Sequence, residues 1–369
     1  MKRIVFHVPS LIGGGAERVW VLMANELAAR GHDMTLFTWN AGGPNAGLRS
    51  DAVHLVDLGL PLRNEGFGKR GTFRGLWRSV RFFARHQPDA VFSAPDFANL
   101  ITTLALTLSR SRALFFPSFH AAASLPSERV GARLAVLASG LMGRRATRAI
   151  AVSKGVGADV VVRGLAAKKL VVINNPLPPS RPPAAMPAAW QVQLSDPAGG
   201  PVIVTAGRLT AVKDHRTLIA AFAQLRRSRP ARLAICGEGP LRAELEAYTR
   251  ELGVADDVLL PGYTADLAAC YAVADLFALS SRSEGFGNVL IEAMEAGVPI
   301  VSTDCPHGPR DILRDGAFGT LVRVGDAAAM AVAMGQMLDD PTPPETLKAR
   351  AADFAVERVG DQYEALLRG

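Results

Sequence analysis

Cysteine is scarce. The chain has three in 369 residues, Cys236, Cys270 and Cys305, far apart and in no metal-ligand spacing. That excludes a disulfide framework and a zinc ribbon, and predicts reduced thiols in a reducing compartment. Aromatic residues are sparse at 7%. No apolar run reaches the roughly 18–20 residues that a membrane-spanning helix needs. Met1-Lys2-Arg3 followed by Ile4 to Val8 is too short, and too soon stopped by Pro9, for a secretory leader. It is expected to be the first strand of a cytoplasmic protein. No Asp-x-Asp pair and no Walker A lysine occur. A disordered chain is excluded as well. The composition is 49% hydrophobic and 20% charged, enough for two domains with cores of their own.

Charge is unevenly shared. Residues 1–178 carry 23 Lys+Arg against 10 Asp+Glu, a balance of +13, and residues 179–369 carry 18 against 24, a balance of −6. The basic half is expected to face something anionic. Nucleic acid is disfavoured, because the arginines are not expected to be interleaved with exposed aromatics and no nucleic-acid motif appears.

The pattern along the chain is strand, turn, helix, repeated. Ile4–Val8, Met34–Trp39, Ala90–Ser93, Ala113–Phe116, Ala149–Val152 and Leu170–Ile173 read as short strands between helical segments. Ala16–Arg30 has Val19, Leu22, Met23 and Leu27 at helical spacing, with Gly31 to end it. Pro176 to Pro201 is proline-rich and reads as a stiff linker, not a helix. The alternation then restarts with strands at Val202–Ala206, Leu233–Cys236, Val258–Leu260, Leu276–Leu279 and Ile300–Ser302, and a helix over Asp214–Arg229. The expectation is an α/β protein of two doubly wound parallel-sheet domains facing each other across a cleft. Its divisions are 1–178, a linker at 179–200, a second domain at 201–345, and a C-terminal helix at 346–369 that packs back on the first domain.

Gly13, Gly14 and Gly15 follow the first strand. Position 18 is Arg where a dinucleotide fingerprint needs Gly or Ala, so the cluster is either a tight turn or a close approach of backbone to an anion. Arg208 and Lys213, in Gly207-Arg208-Leu209-Thr210-Ala211-Val212-Lys213-Asp214, fall at the carboxyl end of a strand. Two fixed cations there suit a diphosphate. Glu284 and Glu292 flank a Gly285-Phe286-Gly287 turn, with Asn288 as the expected N-cap of the next helix. A carboxylate in such a turn matches a vicinal diol, such as a ribose.

Glu284-x₇-Glu292 within Glu-Gly-Phe-Gly and Glu-Ala-Met, preceded by Gly207-Arg208-Leu209 and Lys213-Asp214, resembles the retaining glycosyltransferases of family 4, of GT-B fold. Further matches are Gly13 to Arg18, Val152-Ser153, Asn175-Pro176, Gly237-Glu238-Gly239-Pro240 and Thr303-Asp304-Cys305-Pro306 with Gly308-Pro309-Arg310. The resemblance implies transfer of a hexose or N-acetylhexosamine from a nucleotide-sugar, UDP-linked ahead of GDP-linked, to an acceptor hydroxyl. It implies retention of configuration, no metal and no cofactor. By the same resemblance Arg208 and Lys213 grip the donor diphosphate, Glu292 holds the ribose, and Glu284 contacts donor-sugar hydroxyls. The amides of Gly285, Phe286 and Gly287 help hold phosphate or sugar, and Gly262-Tyr263 lies where the base is read. Gly13 to Gly15 approach the β-phosphate. His120 either faces the donor sugar or is a packed loop histidine. The expected acceptor is a polyprenyl-diphosphate-linked glycan. The rivals are a nucleotide-sugar epimerase on the same fold and an idle nucleotide-sugar-binding subunit.

Arg74, Arg78, Arg81 and Arg85 recur along one helix face, and Phe73, Trp77, Val80 and Ala84 follow on a neighbouring face. The stripe is either a solvated helix face or a docking surface for the anionic inner leaflet of the cell membrane.

Overall fold

The structure is a computed structural model that describes residues 1–12, 15–62, 66–120, 138–178, 189–194, 199–264 and 267–368. The chain forms two compact units, Met1–Pro176 with Ala355–Gly369, and Leu177–Phe354.

In the first unit, β1 (Arg3–Ser10), β2 (Asp33–Asn40), β3 (Val53–Asp57), β4 (Ala90–Ser93), β5 (Leu114–Phe119), β6 (Ala149–Ala151) and β7 (Leu170–Val172) form one sheet in the order β3-β2-β1-β4-β5-β6-β7. Every pairing is parallel. Its helices are α1 (Gly15–Ala29), α2 (Gly68–His86), α3 (Asp96–Leu108), α4 (Ser139–Arg145) and α5 (Lys154–Val162). The interior strand β1 carries buried apolar residues on both faces, as a strand covered on both sides does. Ile4, Phe6 and Val8 pack with Trp20, Met23 and Leu27 of α1. Val5, one residue out of step, packs with Val80 and Phe83 of α2 and Ile101 of α3.

The second unit opens with α6 (Ala189–Leu194). Its strands are β8 (Val202–Ala206), β9 (Arg232–Cys236), β10 (Val258–Gly262), β11 (Leu276–Leu279), β12 (Ile300–Thr303) and β13 (Thr320–Val322). They pair in parallel in the order β10-β9-β8-β11-β12-β13. The helices are α7 (His215–Arg226), α8 (Arg242–Glu251), α9 (Ala268–Tyr271), α10 (Asn288–Glu295), α11 (Pro309–Ile312), α12 (Ala327–Asp339) and α13 (Pro344–Ala351). Leu218, Phe222 and Leu225 of α7 pack with Ile203, Leu233 and Ile235 of the sheet and Met330 and Met334 of α12.

The expected alternation folds as two parallel sheets, with differences that have local causes. β3 and β13 carry no clear sequence signal. Both are edge strands, and β3 buries only Val53 fully. The linker is not free of helix, since α6 lies within it and Gln191 Nε2 donates to the Ala269 carbonyl at 2.9 Å. The segment 346–369 is two helices rather than one. A turn at Ala352–Phe354 and an extended Ala355 (φ −53°, ψ 142°) separate α13, in the second unit, from α14 (Val356–Leu366), in the first. Val359, Tyr363 and Leu367 enter the core beside Phe6, Trp20 and Phe92. Arg30, directly after α1, ties that helix to α14, bonding Asp361 at 2.7 Å and Glu364 at 3.1 Å.

Candidate active site

In the second sheet β8 lies beside β11, so the first strand of the unit neighbours the fourth. The chain winds outward from this pair in both directions. Such a switch point leaves a crevice at the carboxyl ends of the two strands, where the departing loops separate. The loops leaving β8 and β11 hold the residues that the sequence singles out.

The two loops are stitched together. Arg282 N donates to the Val212 carbonyl at 2.8 Å, and Ser280 Oγ donates to the Lys213 carbonyl at 2.9 Å. Asp214 caps α7 from a left-handed conformation, φ 47°. Its Oδ2 accepts from Thr217 Oγ1 and from Arg282 Nε, each at 2.9 Å. This framework brings Lys213 Nζ within 2.6 Å of Glu284 Oε1. Ser281 Oγ donates to the same oxygen at 2.5 Å. Both charged side chains are mostly buried, so their attraction is less screened than in a surface pair. Arg208, five residues before Lys213, is exposed on the same loop.

The Gly285–Gly287 turn leads from Glu284 into α10. The cap of that helix is Gly287, at φ 103°, and Asn288 is its first residue, which corrects the expected Asn288 cap. Only a residue without a Cβ adopts that backbone freely. Phe286 is buried and packs edge-on against Phe354 at 5.6 Å, so its side chain anchors the turn while its amide belongs to the loop. Gly308 crosses so close that a Cβ there would stand 1.9 Å from the Phe286 carbonyl oxygen.

Glu292 falls in the second turn of α10. The Tyr271 hydroxyl donates to Glu292 Oε2 at 3.2 Å and to the Val289 carbonyl at 3.3 Å. Burial, and the negative Glu292 beside it, push the Tyr271 phenol well above its ordinary range, so it remains a donor. The sequence pattern does not single out Tyr271 and Ser281, which hold the two carboxylates. Nor does it mark Asp214 and Arg282 as the brace beneath them. The buried Cys305 thiol is pushed up to about 12, first by burial and then by Glu284, so it is no nucleophile. Burial drives the imidazole of His215 down to about 4, leaving it neutral at the start of α7.

Gly262 ends β10 at φ 91°, and Tyr263 follows with 72% of its surface exposed. Glu238 of the β9 loop reaches under Gly262, held by Arg242 at 2.7 Å. An exposed aromatic ring beside that turn can stack on a flat base.

In the first unit, Gly15 opens α1, while Gly13 and Gly14 lie outside the described residues. His120 follows β5. Its Nε2 lies 3.0 Å from Ser118 Oγ and its ring meets Trp20 edge-on at 5.5 Å. Burial lowers its pKa to about 4, so the ring is neutral at physiological pH.

Two family profiles match the chain. Glycosyl transferases group 1 covers residues 188–354, and Glycosyltransferase Family 4 covers residues 13–181. Among curated relatives, the lipopolysaccharide core biosynthesis glycosyltransferase LpsE of Rhizobium meliloti is 29% identical over 379 residues, covering 100% of this chain and 99% of its own. The N-acetylgalactosamine-N,N'-diacetylbacillosaminyl-diphospho-undecaprenol 4-alpha-N-acetylgalactosaminyltransferase of Campylobacter jejuni is 37% identical over 149 residues, 40% of each chain. Among solved structures, HepE of Anabaena in complex with UDP and glucose superposes with a TM-score of 0.79 at 21% identity, covering 100% of both chains. The two parallel sheets, the paired loops at the switch point and these matches together show that the chain is an enzyme belonging to glycosyltransferase family 4, of GT-B fold.

Proposed function

We propose that this glycosyltransferase moves a hexose or N-acetylhexosamine from a UDP-sugar to a hydroxyl of a polyprenyl-diphosphate-linked glycan, with retention at the anomeric carbon. The observation that carries the reading is the Lys213–Glu284 pair at the switch point, with Arg208 exposed on the same loop and Glu292 fixed by Tyr271. Arg208 and Lys213 match the charge of a diphosphate. Glu292 Oε2, already accepting from a phenol, presents a carboxylate of fixed orientation to a ribose diol. Glu284 spends Oε1 on Lys213 and Ser281, and Oε2 takes a donor-sugar hydroxyl. Tyr263 stacks on the base.

In the reaction the bond from C1 of the sugar to the diphosphate oxygen breaks, and a bond from C1 to the acceptor oxygen forms on the same face. The acceptor proton passes to the departing diphosphate. The extra negative charge that develops there is met by Arg208, by Lys213, which Glu284 holds in place, and by the amides of the Gly285–Gly287 turn. These cations do the work of a divalent metal, so transfer is metal-independent and needs no cofactor. The lipid-linked acceptor is supported by the Campylobacter relative, whose name carries a diphospho-undecaprenol acceptor, and by the Rhizobium relative named for lipopolysaccharide core biosynthesis. Among the described residues no helix is long and apolar enough to cross a membrane. On this reading the enzyme meets its acceptor at the cytoplasmic surface of the cell membrane.

The test is a donor screen by thermal shift with UDP, GDP, ADP and their sugars, followed by turnover on polyprenyl-diphosphate-linked acceptors with excess EDTA. Selective stabilisation by UDP and EDTA-resistant transfer with retention are expected. Stabilisation by GDP alone would move the donor assignment. Loss of transfer on chelation with recovery on Mg²⁺ would overturn the cation account. A sugar product formed without an acceptor and with one stereocentre inverted would identify an epimerase.

A further inference from the structure

Among the described helices of the first unit α2 is the most highly charged, with Lys69, Arg70, Arg74, Arg78, Arg81, Arg85 and His86 and no carboxylate. Its aromatic residues correct the expectation that no exposed aromatics are interleaved with the arginines. Phe73 and Trp77, one turn apart, are 71% and 56% exposed. The buried face consists of Gly75, Ser79, Val80 and Phe83 instead. The helix cannot roll to bring the aromatics inward. At Gly75 a Cβ would stand 2.5 Å from the Trp39 ring, so the helix backbone lies directly on that indole. Trp39 Nε1 donates to Ser79 Oγ at 3.1 Å, and Ser79 Oγ donates to the Gly75 carbonyl at 2.8 Å. Phe73 and Trp77 are held facing outward.

Beside this aromatic edge runs the arginine strip, where a shallow cavity of about 430 Å³ is lined by Leu58, Arg78, Arg81, Phe82, Arg85 and His86. Its floor is rigid. Phe82 stacks on Phe37 at 4.3 Å and on His86 at 5.0 Å. Arg78 Nη1 donates to the Leu58 carbonyl at 2.8 Å. None of Arg74, Arg78, Arg81 and Arg85 forms an ion pair among the described residues, whereas Arg30, Arg226, Arg242, Arg282 and Arg350 all do. The strip is thus a concentrated, unneutralised positive charge next to two large apolar rings on one helix.

We propose that this face of α2 docks on an anionic phospholipid bilayer, with Phe73 and Trp77 inserted at the level of the headgroups and Arg78, Arg81 and Arg85 cradling lipid phosphates over the Leu58–Phe82 floor. The chemistry fits on three counts. Indole and phenyl rings favour the membrane–water interface, guanidiniums pair with phosphate in a fork, and arginine stems lie along apolar surface while their heads reach outward. A solvated helix needs the arginines but not the rings. The combination of a cationic strip with an apolar edge is that of an interfacial helix. The proposal deepens the reading that the acceptor is carried on a lipid, and it is tested apart from that reading.

The experiment uses the full chain and vesicles of phosphatidylcholine alone or of equal parts phosphatidylcholine and phosphatidylglycerol. Wild type is expected to sediment with the mixed vesicles only. Its Trp77 emission should shift to the blue and be quenched by brominated lipid, effects that Trp77→Phe removes. The pair Phe73→Ser and Trp77→Ser should weaken sedimentation at least about tenfold at low salt. Arg74, Arg78, Arg81 and Arg85 changed together to Gln should abolish what salt already weakens. Both sets should keep wild-type turnover on a short water-soluble acceptor and a wild-type melting curve. Because Arg78 also braces Leu58, the aromatic pair is the deciding variant if the arginine set melts early. Equal sedimentation of wild type and the aromatic variant would overturn the proposal. So would absence of binding to the mixed vesicles, or aromatic variants that instead break a dimer or release nucleic acid. Vesicle binding without turnover on the soluble acceptor would leave the docking face standing and remove the assigned chemistry. Turnover without vesicle binding would do the reverse.

Discussion

Glu284 receives Lys213 and Ser281 on one oxygen, at 2.6 and 2.5 Å, and this pairing shapes what single substitutions should do. On the proposed reading Lys213→Ala removes a cation that faces the leaving diphosphate, and it strands Glu284 in a mostly buried position. Removing one charge-assisted hydrogen bond from the transition state costs about 3–4 kcal/mol, or roughly 10²–10³ in kcat. Glu284→Gln has two opposing effects. It removes a negative charge beside Lys213, so bare UDP should bind severalfold tighter by calorimetry, while transfer should fall if, as proposed, this group faces the donor sugar, because it changes from acceptor to donor. Weaker UDP binding together with lost transfer would show that Glu284 holds Lys213 in place more than it opposes its charge. Tyr271→Phe deletes the hydroxyl that fixes Glu292. A bond of this kind contributes about 1 kcal/mol net, so UDP affinity should fall roughly fivefold while the melting temperature barely moves. An unchanged UDP affinity would separate Glu292 from the nucleotide. Arg208, Lys213, Glu284 and Glu292 are legible in the sequence because each sits at a fixed offset from a strand end or a glycine turn. Tyr271 is not, because Ala-Ala-Cys-Tyr carries no local signal and its partner is 21 residues away, brought near only by tertiary packing.

At the level of elements, the site is a set of loops held by backbone close approach. The β12 loop passes over the turn before α10, and Gly308, at φ 110°, makes the crossing. Gly308→Ala meets both a forbidden backbone region and the Phe286 carbonyl at 1.9 Å. It should cost about 3 kcal/mol in chemical denaturation, with activity lost ahead of stability. Gly316→Ala is the control. Its φ is 101° but nothing lies within 4 Å of the added Cβ, so only the backbone cost of about 1 kcal/mol applies. Equal costs for the two would mean that the crossing tolerates a methyl group. The same close approach explains where sequence periodicity misleads. On α2 the step Phe73, Trp77, Val80, Ala84 looks like a core face, yet of these only Val80 is buried. The Trp39 ring fills the space under the helix, so the residues that fit there are small, Gly75 and Ser79, and the large rings turn outward. A hydrophobic pattern records which residues are apolar and not how much room the opposite element leaves them.

Across the whole molecule, stability should depend on pH through three enclosed histidines. Burial lowers His7 to about 3, and His120 and His215 to about 4, from an ordinary value of 6.5. The sign follows from linkage. Above about pH 6.5 both the folded and unfolded chains hold these rings neutral, and they contribute no slope. As pH falls below that, the unfolded chain binds protons that the folded chain refuses, and stability is lost. Each ring contributes up to about 1.4 kcal/mol per pH unit until its folded value is reached. Two of the three belong to the first unit, where His7 Nδ1 lies 2.7 Å from Thr102 Oγ1 and the imidazole packs on Phe37. Asp96, raised by burial, opposes the trend there, since the folded chain takes up its proton earlier on acidification. Glu364, lowered first by its bond to Arg30, adds to the loss. Chemical denaturation across the range from about pH 8 down to about pH 4.5 should therefore show a plateau near neutrality and then a fall. The first unit should unfold before the second on the acid side. His7→Gln should lower the plateau, because it disturbs the packing, but flatten the fall by one proton. A denaturation midpoint that stays level down to about pH 5 would mean that these rings protonate in place and that the interior of the first unit admits water.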